Sequence, residues 1–302
     1  MGSPLLEDKM KKLEACPLCG NGGRRRLYPL EHSTVFRCAG CGLSYLDPCL
    51  DPAAMAAVYE SSETLKLLNE FHDGYYEYGD PEVDSVTVLE FKRSLALLSA
   101  RLSGDRRRLF EVGFGSGLFL AVAKRQGWQV DGIDTSRTNA ELARKKFSLE
   151  LRTGFFEEMP LPDPRPDALA MLDVIEHIAD PHRMIQRAHQ VLAKDGLLLI
   201  ATPNEDSFFR ALSDFLFRAS GGRITTGIRK IYFLEHVTYY TRATLEQLLR
   251  QNGFEPAGHF YSGTDLAKYR LKPLERLAGE SILLAQRVLS RQNRLLMIAR
   301  RA

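Results

Sequence analysis

The sequence lacks the features that mark membrane-spanning or exported proteins. It has no apolar run long enough to cross a bilayer, and no charged start followed by an apolar signal segment. We therefore expect a cytoplasmic protein. An excess of one charge is also missing, because 41 lysines and arginines face 38 aspartates and glutamates and leave a net charge of +3. That balance gives no reason by itself to expect a nucleic-acid partner.

Cysteine is scarce, but four of the five cysteines form two pairs, with a short basic, hairpin-like stretch between the pairs. In each pair, Cys16 with Cys19 and Cys38 with Cys41, two residues intervene and a glycine follows. This spacing is typical of a tetrahedral four-cysteine zinc site, which is structural because four thiolates leave no open position. A disulfide or a redox motif is the alternative, and a cytosolic location disfavours disulfides. Cys49 is predicted to be a buried apolar residue.

A glycine-rich turn stands near the middle of the chain. Residues 109–112 are predicted to form a buried strand, followed by a loop with Gly113, Gly115 and Gly117 and by a helix over residues 118–125. Glycines let the backbone approach a ligand closely. Their spacing is one residue shorter than the G-x-G-x-x-G pattern of dinucleotide sites, so the loop alone does not identify the ligand.

A second acidic position follows the next predicted strand. Asp134 ends the strand over residues 130–133 and precedes Thr135, at the sheet edge where a carboxylate can accept hydrogen bonds from a ribose diol. The alternative is that Asp134 caps the helix over residues 137–147. Because the glycine loop and this acid occur together at the expected spacing, we favour the ribose role.

From about residue 106 the chain alternates strands and helices, which predicts an α/β fold with a Rossmann-like, doubly wound parallel sheet. We predict a zinc ribbon over residues 1–50, a helical linker or cap segment over 51–105, and the sheet domain over 106–302. An insertion at about residues 205–235 predicts a helical cap over the carboxyl edge of the sheet, where clefts lie. Further strands are predicted at residues 150–152, 168–172, 197–201, 254–261 and 294–299. Helices are predicted to begin at Asp51, Asp180 and Thr241. Residues 74–81 are predicted to form an aromatic loop.

The glycine loop, with Glu111 ahead of it, resembles the first motif of class I S-adenosylmethionine-dependent methyltransferases. The resemblance covers most of residues 106–261 and is nearest to the branch that contains ubiquinone-type O-methyltransferases. The ribbon in front resembles that of zinc-ribbon methyltransferases associated with polysaccharide and secondary-metabolite biosynthesis. Four further segments are similar to motifs of this family: residues 172–181, 192–196, 202–204, and 235–240 with the following Leu245 and Gly253-Phe254.

The resemblance implies a seven-stranded sheet whose last strand is a reversed edge strand, and S-adenosylmethionine as the cofactor. Glu111 is expected to balance the ammonium group of the cofactor, directly or through water. Many relatives carry an acid after the third strand that meets the adenine amine. Here we expect Phe155 or Phe156 to pack on adenine, and the alternative is that both belong to the core. The implied cofactor-binding residues are Glu111, Gly113, Phe114, Gly115, Gly117, Asp134, Thr135, Phe155, Phe156 and Asp173.

Methyl transfer to a hydroxyl needs a group that takes the proton, and histidine suits this role near neutral pH. His177, after the fourth strand of the sheet, and His236, after the cap, are the candidate bases, and each has a structural role as its alternative. Asp173, Glu176 and His177 also match an acid-x-x-Glu-His pattern that binds a divalent ion in some ubiquinone-pathway relatives, which raises the hypothesis of a magnesium site. We favour the alternative, a polar helix start beside the methionine end of the cofactor.

The resemblance implies oxygen methylation of a small-molecule, sugar or secondary-metabolite acceptor. Two other functions stay open: a modifier of RNA or protein, favoured by the ribbon and residues 24–26, which are all arginine, and an NAD-dependent dehydrogenase, favoured by the glycine loop alone. Residues 266–291 combine leucines with basic residues and are compatible with a peripheral membrane contact. The alternative is that this apolar stripe packs on the core.

Overall fold

The computed structural model describes residues 9–51, 53–55, 57, 80–83, 85–263 and 272–302. Its N-terminal part is the ribbon, which is held together by short antiparallel strands. The predicted hairpin between the cysteine pairs is formed by the second and third of these strands. The strands are β1 (Met10–Lys11), β2 (Arg24–Pro29), β3 (Thr34–Cys38), β4 (Ser44–Asp47) and β5 (Cys49–Leu50), with β1 paired to β5 and β3 between β2 and β4.

The larger part is a sheet of seven strands within the described residues. Its strands are β6 (Arg108–Val112), β7 (Gln129–Asp134), β8 (Arg152–Thr153), β9 (Ala168–Leu172), β10 (Leu197–Pro203), β12 (Phe254–Ser262) and β13 (Arg294–Arg301). The remaining strand, β11 (Thr238–Tyr239), belongs to the sheet of the ribbon. The spatial order is β12-β13-β10-β9-β6-β7-β8. Strands β6 to β10 run parallel, as predicted. The chain reverses its direction of travel across the sheet between β6 and β9, so a ligand crevice is expected at their carboxyl ends.

The prediction of a reversed edge strand was wrong in its position. Strand β13 is reversed, since it pairs antiparallel with β10, but β12 pairs with its other side and forms the edge. Residues 295–299 are buried on both faces of the sheet, which is typical of an interior strand. In β12 exposed and half-buried residues predominate, which suits an edge.

Helices cover both faces of the sheet. They are α1 (Val86–Ser99), α2 (Leu118–Arg125), α3 (Arg137–Phe147), α4 (Pro181–Val191), α5 (Phe208–Ala219), α6 (Thr226–Arg229), α7 (Arg242–Gln251) and α8 (Pro273–Val288). Successive strand residues point to opposite faces. Phe110 and Leu169 therefore belong to the core under α4 and α7, whereas Leu109 and Ala170 belong to the core under α1 and α2.

Several predicted helix starts are confirmed by their caps. The Asp180 carboxylate accepts a hydrogen bond from the Arg183 N–H, and the Thr241 hydroxyl accepts one from Thr244. The Asp51 carboxylate accepts one from the Ala54 N–H at 2.8 Å.

Helix α1 lies in the segment over residues 51–105 that was predicted to be a linker or cap, and it packs into the core of the large sheet. Most of the predicted aromatic loop, residues 74–79, lies outside the described residues.

The ribbon is joined to the large domain by a shared sheet. Strand β11 comes from the segment after residues 205–235, and it pairs antiparallel with β4 as the fourth strand of the ribbon sheet. The pairing places Thr238 opposite Tyr45 and Tyr239 opposite Ser44. Residues that are nearly 200 positions apart in sequence therefore belong to one hydrogen-bonded sheet.

The C-terminal helix does not bury its apolar stripe. Leu277, Leu284 and Val288 lie on one face of α8 at helical spacing and are 61%, 63% and 74% exposed. Leu271 and the side chain of Leu274 lie outside the described residues. None of the described helices combines the length and apolar character that crossing a membrane requires. The peripheral membrane contact therefore stays a prediction.

Candidate active site

The glycine loop follows β6 at the switch point of the sheet, and its three glycines serve different purposes. All three have positive φ, between 52° and 79°. A Cβ on Gly113 would stand 2.6 Å from Val174, and one on Gly117 would stand 2.9 Å from Ala143. The packing at these two positions therefore leaves no room for a side chain. A Cβ on Gly115 would meet nothing within 4 Å. The loop thus leaves open space over Gly115, where a ligand can approach the backbone.

Glu111 lies at the base of this loop and is almost completely buried. Its Oε2 atom has no hydrogen-bond partner among the described residues. Burial, together with the nearby Asp134 carboxylate, raises the pKa of Glu111 well above its usual range. A buried acid in this state is suited to a cationic ligand group, which would satisfy both its charge and its hydrogen bonds.

Asp134 lies at the end of β7, beside the glycine loop. Its Oδ2 accepts a hydrogen bond from the Gly115 N–H at 2.9 Å, and its Oδ1 accepts one from the Ser136 N–H at 2.8 Å. The cap of α3 is Ser136, whose hydroxyl accepts from the Asn139 N–H, so Asp134 is not the N-cap. The carboxylate ties the loop to the second strand, at the position from which the ribose contact was predicted.

The remaining predicted cofactor residues differ in burial: some belong to the hydrophobic core and others are exposed to solvent. Phe114 and Phe156 are buried in the core clusters, and Phe156 has its ring centroid 6.2 Å from that of Phe110. Phe155 is 42% exposed at the rim, and Thr135 is half-buried. For Phe156 the structure shows the core position that was its alternative. The adenine contact stays a prediction for Phe155.

Asp173 follows β9 and has an unusual backbone, with φ of +56°. Its carboxylate forms an ion pair with Arg294, the first residue of β13, and Arg294 also contacts Glu90 at 3.1 Å. A left-handed conformation at a non-glycine residue is strained, and such strain is concentrated at functional sites. Arg294 was not predicted from sequence, because nothing in the pattern of β13 distinguishes it from the other arginines at that end.

The two predicted catalytic histidines lie side by side. Their ring centroids are 4.6 Å apart, and the rings meet edge to face at 79°. His177 Nδ1 lies 2.7 Å from the backbone carbonyl oxygen of Glu235. A carbonyl can only accept, so Nδ1 must carry the proton, and the neutral ring keeps its lone pair on Nε2. This places the proton-accepting nitrogen of His177 on the side of the ring away from Glu235.

The predicted magnesium ligands are only partly brought together. The potential ligand atoms that lie within 4.8 Å of one another belong to Glu176, His177 and His236. The Asp173 carboxylate pairs with Arg294 and does not belong to this group, and the magnesium site stays a hypothesis. Glu176 is buried, and its Oε2 accepts a hydrogen bond from the Thr202 hydroxyl at 2.9 Å. Burial, with Asp173 nearby, raises the pKa of Glu176 to about 8.

The four paired cysteines converge in the ribbon. Their sulfur atoms all lie within 4.8 Å of one another, with Cys16 to Cys41 at 3.6 Å and Cys19 to Cys38 at 3.4 Å. Four sulfurs at about 2.3 Å from a tetrahedral zinc lie about 3.8 Å apart, which is close to these separations. Cys49 is fully buried in a separate apolar cluster, as predicted.

The surroundings shift the cysteine thiols in different directions: burial raises the pKa of Cys16 and of Cys41, whereas the pKa of Cys38 is lowered. Burial favours the neutral thiol of Cys38, but hydrogen bonds from the N–H groups of Cys41 and Gly40 and from the neighbouring thiols of Cys19 and Cys16 lower its pKa to about 7. A lowered thiol pKa favours the thiolate that binds metal.

His182 has a structural role, since both of its ring nitrogens form hydrogen bonds within the protein. Its Nε2 donates to the Leu18 carbonyl and its Nδ1 accepts from Asn252. It holds the first cysteine knuckle against α4.

Comparison with known proteins decides the family. A family model described as a methyltransferase domain matches residues 88–257, which is more than half of the chain. This chain is a member of the methyltransferase family. The match begins inside α1 and includes the glycine loop, the Asp173 turn and residues 205–235. It removes the support for a dehydrogenase that the glycine loop alone had left open.

Two curated relatives show how far the similarity extends. A ubiquinone biosynthesis O-methyltransferase of Bartonella tribocorum is 29% identical over 121 residues, which cover 38% of this methyltransferase and 48% of that protein. A "Probable S-adenosylmethionine-dependent methyltransferase" of Mycolicibacterium smegmatis is 30% identical over 178 residues, which cover 58% and 59%. The chain spans about half the length of these curated relatives.

A solved structure shows the same fold. Magnesium protoporphyrin IX methyltransferase from Synechocystis, determined with bound SAH, superposes with a TM-score of 0.55 at 16% identity. The superposition covers 83% of this methyltransferase and 100% of that chain. The residues of the cleft fit the cofactor of the family, because buried Glu111 suits an ammonium group and Gly115 faces open space.

Proposed function

We propose that this methyltransferase transfers a methyl group from S-adenosylmethionine to a hydroxyl oxygen of a small-molecule, sugar or secondary-metabolite acceptor. Bound S-adenosylmethionine supplies a methyl group that is activated by its attachment to a sulfonium. The chain then has to align the acceptor and take its proton. The observation that supports the proposal is the fixed tautomer of His177 in the turn after β9, a turn whose Val174 lies against Gly113 of the glycine loop.

His177 is the proposed base. Its Nδ1–H donates to the Glu235 carbonyl, and this bond strengthens when the ring becomes cationic, because a charged donor binds a carbonyl more tightly. Nε2 takes the proton from the attacking hydroxyl. His236 packs edge to face against His177, and two adjacent imidazolium rings repel each other.

Glu111, Asp134 and the glycine loop form the proposed cofactor side of the cleft. Glu111 would hold the ammonium group, Asp134 would hold the ribose, and Phe155 would cover the adenine. The cap over residues 205–235 forms the proposed acceptor side. Zinc bound by the four cysteines is the proposed metal of the ribbon, with a structural role, because all four coordination positions are occupied by thiolates.

The ribbon offers weaker support for an RNA or protein substrate. Of the three consecutive arginines, Arg24 pairs with Asp47 and covers the Phe36 ring at 4.1 Å, so it has a structural role. Arg25 and Arg26 are exposed on β2. Two exposed arginines with a net charge of +3 make a small electrostatic footprint for a nucleic-acid partner.

The cofactor assignment predicts the effect of a substitution at Asp134. The purified protein is expected to bind S-adenosylhomocysteine and not NAD in isothermal calorimetry. Asp134→Ala should weaken S-adenosylhomocysteine binding by about 1–3 kcal/mol, because charged hydrogen bonds to the ribose and to the loop are lost. Asp131→Ala is the matched control on the same strand, since Asp131 forms an exposed ion pair with Arg152 and accepts a hydrogen bond from the Gly132 N–H, away from the glycine loop. Binding of NAD without any response to S-adenosylhomocysteine would contradict the assignment.

A further inference from the structure

The cap and the ribbon meet at a buried carboxylate. Glu205, at the start of the cap, is 3% exposed. Its Oε1 accepts hydrogen bonds from the Ser44 hydroxyl of the ribbon at 2.8 Å and from the Tyr232 hydroxyl at 3.0 Å. Arg37 of the ribbon lies 3.3 Å away and Arg210 of the cap helix lies 3.1 Å away. We call these five residues the Glu205 cluster.

The Glu205 cluster connects three separate segments of chain. Ser44 and Arg37 belong to the ribbon sheet, Arg210 belongs to α5, and Tyr232 belongs to the end of the cap. Removal of the carboxylate would leave Arg210, with a side chain only 12% exposed, without its counter-charge. Breaking one side of a buried ion pair is strongly destabilising, so this contact fixes the cap more firmly than surface contacts do.

One face of α5 repeats the contact with the ribbon. Arg210, Asp214 and Phe217 are spaced so that they share one helix face. The Tyr28 hydroxyl of β2 donates to the Asp214 carboxylate, and the Tyr28 ring meets that of Phe217 edge to face with centroids 5.2 Å apart. The opposite face of α5 carries Phe215, which is 65% exposed. The ribbon thus holds the cap helix along its length.

A second connection runs from the ribbon to the histidine pair through the backbone. The Leu46 N–H of β4 donates to the Val237 carbonyl at 2.8 Å, and the Val237 N–H donates to the Glu176 carbonyl at 2.7 Å. Val237 directly follows His236, and Glu176 directly precedes His177. Both candidate bases are therefore attached to residues that the ribbon sheet holds in place.

We propose that the ribbon positions the acceptor side of the active site, and that Glu205 is the positioning residue that fastens the cap to it. The inference rests on the proposed function to the extent that the cap and the histidine pair face the acceptor. The cofactor side has its own supports, in the β6 loop and β7. The proposal therefore separates the two halves of the cleft: loosening the ribbon contact should release the cap and leave the cofactor side intact.

Trypsin cleavage of the full-length protein tests this separation. The cap carries trypsin sites at Arg218, Arg223, Arg229 and Lys230. Glu205→Ala should raise the cleavage rate within residues 218–230 by about 10-fold or more, since local opening governs the rate. Hydrogen exchange should accelerate in α5 and α6 in parallel. The affinity for S-adenosylhomocysteine should stay within about two-fold of the parent, because Glu205 does not belong to the cofactor side.

Two variants distinguish positioning from general stabilisation. Glu205→Gln keeps an oxygen that accepts from Ser44 and Tyr232, and it should restore part of the protection. Asp167→Ala is the matched control, because Asp167 is a buried carboxylate held by Arg106 and Arg108 at the amino end of β9, opposite the carboxyl ends of the strands. It should lower the thermal stability without a selective increase of cleavage in the cap.

The inference is overturned if Glu205→Ala is cleaved in the cap no faster than Asp167→Ala, or if S-adenosylhomocysteine affinity falls as steeply as cap protection. If Glu205→Ala does not fold, Ser44→Ala serves in its place, because it removes one hydrogen bond to Glu205 from the ribbon side. Ser44→Ala should also raise the rate of cleavage in the cap. An unchanged rate would overturn the proposal. A parent protein that binds no S-adenosylhomocysteine would instead refute the proposed function, while the cleavage comparison still decides the coupling of cap and ribbon.

Discussion

His177→Ala is expected to lower turnover by about 10²–10⁴-fold, the range typical of a lost general base. The affinity for S-adenosylhomocysteine should stay within about two-fold, because the substitution removes proton transfer and not cofactor contacts. Turnover can be measured as S-adenosylhomocysteine release with a hydroxyl acceptor found by screening phenols and sugars. His236→Ala should give a smaller loss if His236 only supports the neighbouring ring, and an equal loss if the two rings act as one unit.

A distant histidine provides the control for this comparison. His259 lies on the edge strand β12 with its ring beside Tyr261, away from the pair, so His259→Ala should keep full turnover. Added magnesium or chelator separates base from metal ligand. If His177 holds a divalent ion, turnover of the parent responds to chelator and the response disappears in His177→Ala. Full activity in both His177→Ala and His236→Ala would show that neither histidine is the base.

The alternating core of the fold could be predicted from local pattern. Helices α2 and α3 have the predicted bounds, because the glycine loop and Ser136 mark their starts in the sequence itself. The place of β13 in the sheet could not be predicted in the same way. An apolar run identifies a buried strand but does not say which strands lie beside it. The two neighbours of β13 are determined by packing across the whole sheet.

The residues that complete the cleft were harder to predict for the same reason. The Asp173–Arg294 pair joins residues 121 positions apart, and the Ser44–Glu205 contact joins residues 161 positions apart. Nothing in the surroundings of a single arginine or glutamate signals such a partner. The two histidines were found because each stands next to a motif, but their contact with each other follows from hydrogen bonds between residues 235–237 and residues 176–177, which are distant in sequence.

Cys38→Ser is expected to release zinc and to unfold the ribbon. The purified parent should contain about one zinc per chain by elemental analysis, and the variant should contain almost none. Structural zinc contributes about 10–16 kcal/mol of apparent binding free energy in small cysteine modules, so its loss is as large as the whole stability of a typical domain, about 5–15 kcal/mol. The thermal transition of the ribbon should disappear, while the large sheet keeps its own transition.

The fifth cysteine makes this prediction sharp. Cys49 is as buried as Cys38 and lies in the same ribbon, but it belongs to a separate apolar cluster. Cys49→Ala should therefore keep about one zinc per chain and cost only the few kcal/mol of a small cavity. Because β4 follows directly after the second cysteine pair and carries Ser44, zinc release should also expose the tryptic sites of the cap. A zinc-free parent whose four thiols are freely alkylated would contradict the metal site. If the cap stays protected from trypsin after zinc release, the ribbon sheet keeps its structure without the metal.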